Sequence, residues 1–145
     1  MKLSSRSRYG LRAILELAVE YGKGPIQIKS IAKKEDISNK YLEQLIAIMK
    51  SAGLVRSIRG PKGGYILTKE PNKIKLSEIF LALEGPITTA ECLVHPDFCT
   101  KCADCATRKI WGKIQDAIIG VLDSTTLQDL ADDVTGVNES SSYQI

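Results

Sequence analysis

The chain has 145 residues, of which 26% are charged and 43% hydrophobic, the balance of a soluble globular chain. No run reaches the roughly 20 apolar residues of a membrane span. The opening MKLSSRSRYGLRAILELAVEYG, with Glu16 and Glu20 among its apolar positions, lacks the h-region and cleavage site of a signal peptide, so the expected address is cytoplasmic, with reduced thiols. The net charge of +3 conceals a division: residues 1–75 hold sixteen Lys and Arg against six Asp and Glu, and residues 76–145 hold four against eleven. A basic first half points to a polyanionic partner, chiefly nucleic acid.

Ser4 or Ser5 can cap a helix running to about Tyr21, with Leu11, Ile14, Leu15, Ala18 and Val19 on one stripe and Gly22 as its left-handed stop. After the break GKGP, Ile28, Ile31 and Ala32 form the apolar face of a short helix, and Asp36-Ile37-Ser38 is a turn. Ser38 or Asn39 caps a second helix with Leu42, Leu45, Ile46 and Met49 inward, ended by Gly53. Two short helices about a tight turn, the second amphipathic, describe a helix-turn-helix, whose second helix enters the major groove. Its outward residues, Asn39, Lys40, Glu43, Gln44 and Lys50, are all able to meet bases or phosphates. Val55–Arg59 and Tyr65–Thr68 flank the turn Gly60-Pro61-Lys62-Gly63-Gly64 and read as a β-hairpin. Gly63 and Gly64 can take positive φ and let the backbone approach a phosphate. Arg56, Arg59, Lys62 and Lys69 surround that hairpin with positive charge. The order helix, turn, helix, basic hairpin is that of a winged helix: a mainly α fold with a small β wing.

In the acidic half, Leu76, Ile79, Phe80 and Leu83 share one face of a core helix that stops at Gly85-Pro86. A longer helix follows Cys105, with Ile110, Trp111, Ile114, Ala117, Ile118, Val121 and Leu122 along its stripe. So long an apolar face suits pairing with a second copy, or packing on the chain's first helix. Thr125–Gln128 fits a capping box for a last short helix. The expected division is a DNA-binding unit over 1–75, a cysteine loop and dimerisation helix over 76–134, and a flexible tail over 135–145.

All four cysteines lie within ECLVHPDFCTKCADCATRKIW, spaced C-x6-C-x2-C-x2-C as Cys92, Cys99, Cys102 and Cys105. That spacing indicates a soft metal, as iron–sulfur or zinc, and does not choose between them. Cys102 and Cys105 also make a C-x-x-C pair, but no βαβ pattern or nucleophile–base constellation accompanies it, which argues against an enzyme.

The segments MKLSSRSRYGLRAILELA, ISNKYLEQL and GLVRSIRGPKGGY, with the cysteine run, resemble the iron–sulfur cluster regulator family of bacterial winged-helix repressors, which has IscR, NsrR and CymR types. The likeness covers residues 1–133. VLDSTTLQDLA and YGKGPIQIKSIA are most similar to the CymR type, which lacks these cysteines. The resemblance implies a homodimer on double-stranded DNA, each winged helix taking one half of a pseudo-palindromic operator. It implies that Ser38, Lys40, Tyr41, Glu43 and Gln44 of the recognition helix, beside Asn39, face the bases. Arg59 would read guanine, Lys62, Gly63 and Gly64 would lie by the minor groove, and Lys29 and Arg6 would hold phosphates. It further implies an iron–sulfur cluster, 2Fe–2S in preference to 4Fe–4S, on Cys92, Cys99 and Cys105. Arg108 stands where the IscR type has a histidine, and Arg8 near the acidic ligand of the NsrR type. The fourth ligand is then Cys102 first, with His95 or a group of the partner subunit as alternatives. The implied function is a regulator, mostly a repressor, that senses iron–sulfur, redox or nitric oxide status. The alternative is a CymR-like repressor of cysteine and sulfur metabolism without a cluster, acting through thiol oxidation or a protein partner such as cysteine synthase.

Overall fold

The computed structural model describes residues 2–98, 100 and 104–143. Helix α1 spans Ser5–Val19 and begins where Ser4, extended in its backbone, accepts a hydrogen bond from the Ser7 amide at 3.1 Å. Ser7 is buried, and its hydroxyl donates to Glu84 Oε1 at 2.6 Å; the Ser4 hydroxyl donates to the same oxygen. A carboxylate at the amino end of a helix is favoured by the helix dipole, so Glu84 fastens α1 to the end of α4 (Leu76–Glu84). Farther along the same crossing, Gly10 admits the Leu83 side chain: a Cβ there would lie 2.6 Å from Leu83 Cδ1.

Helix α2 (Ile28–Glu35) ends at Asp36, whose left-handed φ of 53° turns the chain into α3 (Asn39–Ser51). The Ser38 hydroxyl accepts from the Tyr41 amide at 3.1 Å and starts α3. Its inward stripe is Leu42, Leu45, Ile46 and Met49, all fully buried, each contributing about 1.5–3 kcal/mol relative to exposure.

Strands β1 (Val55–Ile58) and β2 (Gly64–Leu67) pair antiparallel, with Val55 opposite Leu67 and Ile58 opposite Gly64. Strand β1 thus starts at the expected Val55 and ends one residue before Arg59, and β2 starts and ends one residue before the expected Tyr65 and Thr68. Ile26 adds a bridge to Tyr65, its N–H donating to Tyr65 O at 3.0 Å and its carbonyl accepting from Tyr65 N at 2.8 Å. The wing is thereby fastened to the segment that leads into α2.

Helices α5 (Glu91–Val94), α6 (Ala106–Ser124) and α7 (Leu127–Tyr143) complete the fold. Thr126 and Asp129 form the capping box of α7: Thr126 N donates to Asp129 Oδ2 at 2.9 Å, and Asp129 N to Thr126 Oγ1 at 3.2 Å. This corrects the expected Thr125–Gln128 box by one residue. The Thr125 carbonyl accepts instead from Leu76 N at 2.9 Å, and Leu127 N donates to Ile74 O at 2.8 Å, which sets the register. Helix α7 is longer than expected, carrying helical backbone to Tyr143, into the segment read as a tail. Its Leu127 and Ala131 join Ile14, Leu42, Ile79 and Leu83 in one core, which crosses the expected division at residue 75. Among the described residues, no helix is long and apolar enough to cross a membrane.

Candidate nucleic-acid interface and cysteine centre

Two features stand on opposite halves of this scaffold. In the first, α2, α3 and the wing meet at a groove of about 420 Å³ lined by Gln27, Ile28, Lys29, Asn39, Glu43, Gly64 and Tyr65. The groove brings Lys29, Asn39, Glu43 and Gly64 together from three separate elements, α2, α3 and β2. Ser38, Asn39, Lys40, Glu43 and Gln44 are exposed on α3, and Tyr41 is half-buried. Arg59 and Lys62 are exposed on the wing.

The glycines of the wing answer to the protein's own packing. Gly63 is buried, and a Cβ there would strike the Ile58 carbonyl and lie 2.9 Å from Gly60 O. Its amide closes the turn onto Gly60 O at 2.9 Å. Of the two glycines read as able to take positive φ, Gly64 does so, at 157°, and Gly63 does not; Gly60 does as well, at 116°.

Three expected cations are engaged inside the molecule. Arg6 is exposed but lies by α4, its Nη1 donating to Leu83 O at 3.3 Å. Lys50 Nζ donates to Ser57 Oγ at 3.2 Å, and Lys69 pairs with Glu78 at 3.0 Å.

A further group was missed in the sequence. Tyr9 of α1 meets Tyr41 edge-on, with centroids 6.1 Å apart and planes at 85°. The guanidinium carbons of Arg8 and Arg12 lie 5.7 and 6.0 Å from the Tyr9 centroid. Two exposed α1 arginines therefore flank the first turn of α3. Their i, i+4 spacing in RYGLR was the available signal. Arg12 also pairs with Glu35 at 3.4 Å, and Lys34 with Glu16 at 2.9 Å. Burial, then a hydrogen bond with Glu16, pushes the Glu35 carboxyl above its ordinary value.

In the second feature, Cys92 lies on α5 and Cys105 stands at the N-cap position of α6; both are half-buried free thiols. Cys105 Sγ lies 3.0 Å from Thr107 Oγ1. The Thr107 hydroxyl holds the Cys105 thiol below its usual range. Arg108 Nε donates to the Cys92 carbonyl at 3.4 Å. Cys99 and Cys102 lie outside the described residues, and among the described residues no three potential ligands converge. His95 is an exposed loop residue whose Nε2 lies 3.5 Å from Glu91 Oε1. The Thr89 hydroxyl donates to Trp111 O at 2.8 Å, and its amide to Gln115 Oε1 at 3.1 Å, pinning the loop before α5 to α6. The outer face of α6 exposes Ile110, Trp111 and Val121, while Leu122 turns into the core.

The model of the Rrf2 family, described as an iron-dependent transcriptional regulator, matches residues 3–133. The chain is 45% identical over 145 residues to the HTH-type transcriptional regulator CymR of Bacillus subtilis, covering 100% of both chains. It is 39% identical to protein rrf2 of Nitratidesulfovibrio vulgaris, over 93% of this chain and 90% of that one. Among solved structures, CymR, the global cysteine regulator of B. subtilis, superposes with a TM-score of 0.80 at 46% identity, covering 91% of this chain and 97% of that one. The IscR of T. potens superposes with a TM-score of 0.77 at 40% identity, covering 92% and 88%.

Proposed function

The chain belongs to the Rrf2 family and is a DNA-binding transcriptional regulator; from that premise we propose that it acts as a homodimer whose grip on its operator is set by an iron–sulfur cluster held on its cysteines. The observation that carries this reading is the seating of two free, half-buried thiols on neighbouring elements, one at the N-cap position of α6. The donor set fits a cluster: Cys92 and Cys105 are soft ligands, and Cys99 and Cys102 lie between them in the chain. These four would hold it, 2Fe–2S in preference to 4Fe–4S. When bound, the group supplies a one-electron redox centre that oxidants or nitric oxide can attack.

The rest is work for the protein's own side chains. The exposed Ile110, Trp111 and Val121 suit a second copy of α6, which would hold two winged helices at one fixed separation. Glu43 can accept from a cytosine amino group, and Arg59 can donate in a pair to guanine. Ser38, Asn39, Lys40, Tyr41 and Gln44 complete the base-facing surface. Lys29 and Arg6, joined here by Arg8 and Arg12, neutralise phosphates and set position without specifying sequence. Lys62, Gly63 and Gly64 form the wing tip beside the minor groove. Ordering of the loop between α5 and α6 would shift the spacing of the two heads, and a coupling of about 1–3 kcal/mol suffices for a switch.

The likeness to CymR over the whole chain favours a second reading, a cysteine and sulfur repressor that uses its thiols for zinc or oxidation and answers to a protein partner such as cysteine synthase. Anaerobic purification separates the two. The cluster reading expects equal counts of iron and sulfide with visible charge-transfer absorption, lost in Cys99→Ser or Cys105→Ser. A colourless protein with stoichiometric zinc overturns it.

A further inference from the structure

Helix α5 has four residues, too few to be stable alone. Its first carbonyl, on Glu91, accepts from His95 N at 2.9 Å. The next, on Cys92, would look four residues on to Pro96, which has no N–H to give. Arg108, in the first turn of α6, supplies that donor through Nε at 3.4 Å. Cys105 stands at the N-cap position of the same helix, three residues before Arg108. Among the described residues the Arg108–Cys92 bond is the one side-chain hydrogen bond between α5 and α6, and Leu93 reaches toward Gly112 beside it, where an added Cβ would lie 3.8 Å from Leu93 Cδ2.

We infer that Arg108 is a positioning residue of the cysteine centre. Its guanidinium serves the Cys92 carbonyl that Pro96 leaves without a donor, clamps α5 to the first turn of α6, and so presents Cys92 and Cys105 to one site with a fixed positive charge beside it. The clamp is a property of the metal-free fold; its part toward a cluster rests on the reading proposed above. Because the chain uses a guanidinium and not a coordinating group at this position, Arg108 shapes the centre without being a ligand. Lysine keeps the charge but not the planar fork, and glutamine keeps a donor but not the charge.

The test uses the full-length protein with Arg108→Gln and Arg108→Lys. In the metal-free form, amide hydrogen exchange over residues 92–98 should quicken about tenfold in the glutamine variant and less in the lysine variant. In the iron-loaded form, a chelator should strip iron about 10–100-fold faster from Arg108→Gln, as expected for loss of a group that orients a ligand. The midpoint potential should fall in Arg108→Gln and stay near the parent value in Arg108→Lys, since a nearby cation stabilises the reduced centre. Unchanged exchange in Arg108→Gln removes the clamp. Faster exchange with unchanged iron release and potential confines Arg108 to folding and overturns its role at the centre. If the parent protein takes up neither iron nor sulfide, the cluster reading and the charge role fail together, while exchange alone still decides the clamp.

Discussion

Replacing Gly64 by alanine drives a methyl group into the backbone of Ile26. The added Cβ would strike the Ile26 carbonyl oxygen and lie 2.5 Å from its carbonyl carbon and 3.0 Å from Gln27 N. None of these atoms ends a flexible side chain. They belong to the bridge in which Ile26 and Tyr65 exchange hydrogen bonds of 3.0 and 2.8 Å, so relief requires that bridge to open. Two backbone hydrogen bonds at about 0.5–1.5 kcal/mol each, with an overpacking cost of about 1–3 kcal/mol, give a loss of about 2–6 kcal/mol. Gly60→Ala is the control. Its φ of 116° strains an L residue by about 1–3 kcal/mol, but no atom lies within 4 Å of its Cβ and the bridge is untouched. Urea denaturation should show a markedly larger loss for Gly64→Ala than for Gly60→Ala. Fluorescence anisotropy with labelled duplex, at temperatures where both are folded, should show weaker binding in Gly64→Ala as the wing loses its tie to α2. Equal stability losses in the two variants would refute the steric reasoning.

Other substitutions test other parts of the molecule. Arg59→Ala should cost about 1–3 kcal/mol on the preferred operator and relax its specificity, whereas Lys29→Ala should weaken all sequences alike and reduce the salt slope by about one; equal losses on specific and random DNA in gel shifts with Arg59→Ala would contradict its base-reading role. Val121→Asp, on the exposed face of α6, should shift the protein from dimer to monomer in sedimentation, and an unchanged mass would mean that this face is not the junction. Glu35 carries a raised carboxyl value, so the native state holds that proton more tightly than the unfolded chain. Its stabilising contribution is full below the ordinary value of 4.5 and is lost as pH rises through the raised one. Denaturation midpoints across that window should fall with pH in the parent and flatten in Glu35→Gln; identical slopes would exclude Glu35 as their source.

Much of the fold was legible because local signals and tertiary packing agree. Ser4 and Ser38 cap their helices, Leu42, Leu45, Ile46 and Met49 turn inward, and the Gly/Pro run makes the wing. The failures lie where a neighbour decides. Thr125 and Thr126 are equivalent as caps in sequence, and only the pairing with Ile74 and Leu76 selects Thr126. Lys50 and Lys69 read as free cations until Ser57 and Glu78 come within reach. Helical periodicity gave Arg8 and Arg12 no role, because their place beside Tyr41 depends on how α1 crosses α3. At the cysteines, spacing named a soft metal and left its kind open. The structure adds the seats of Cys92 and Cys105 and the link through Arg108, while Cys99 and Cys102 lie outside the described residues.

The most direct test is operator affinity measured anaerobically on one preparation, before and after its iron and sulfide are removed and then restored. A cysteine-held switch predicts a change of about fivefold to 150-fold in dissociation constant or in operator preference, reversed on reconstitution and absent in Cys105→Ser. Identical binding in the loaded, stripped and restored states would contradict it.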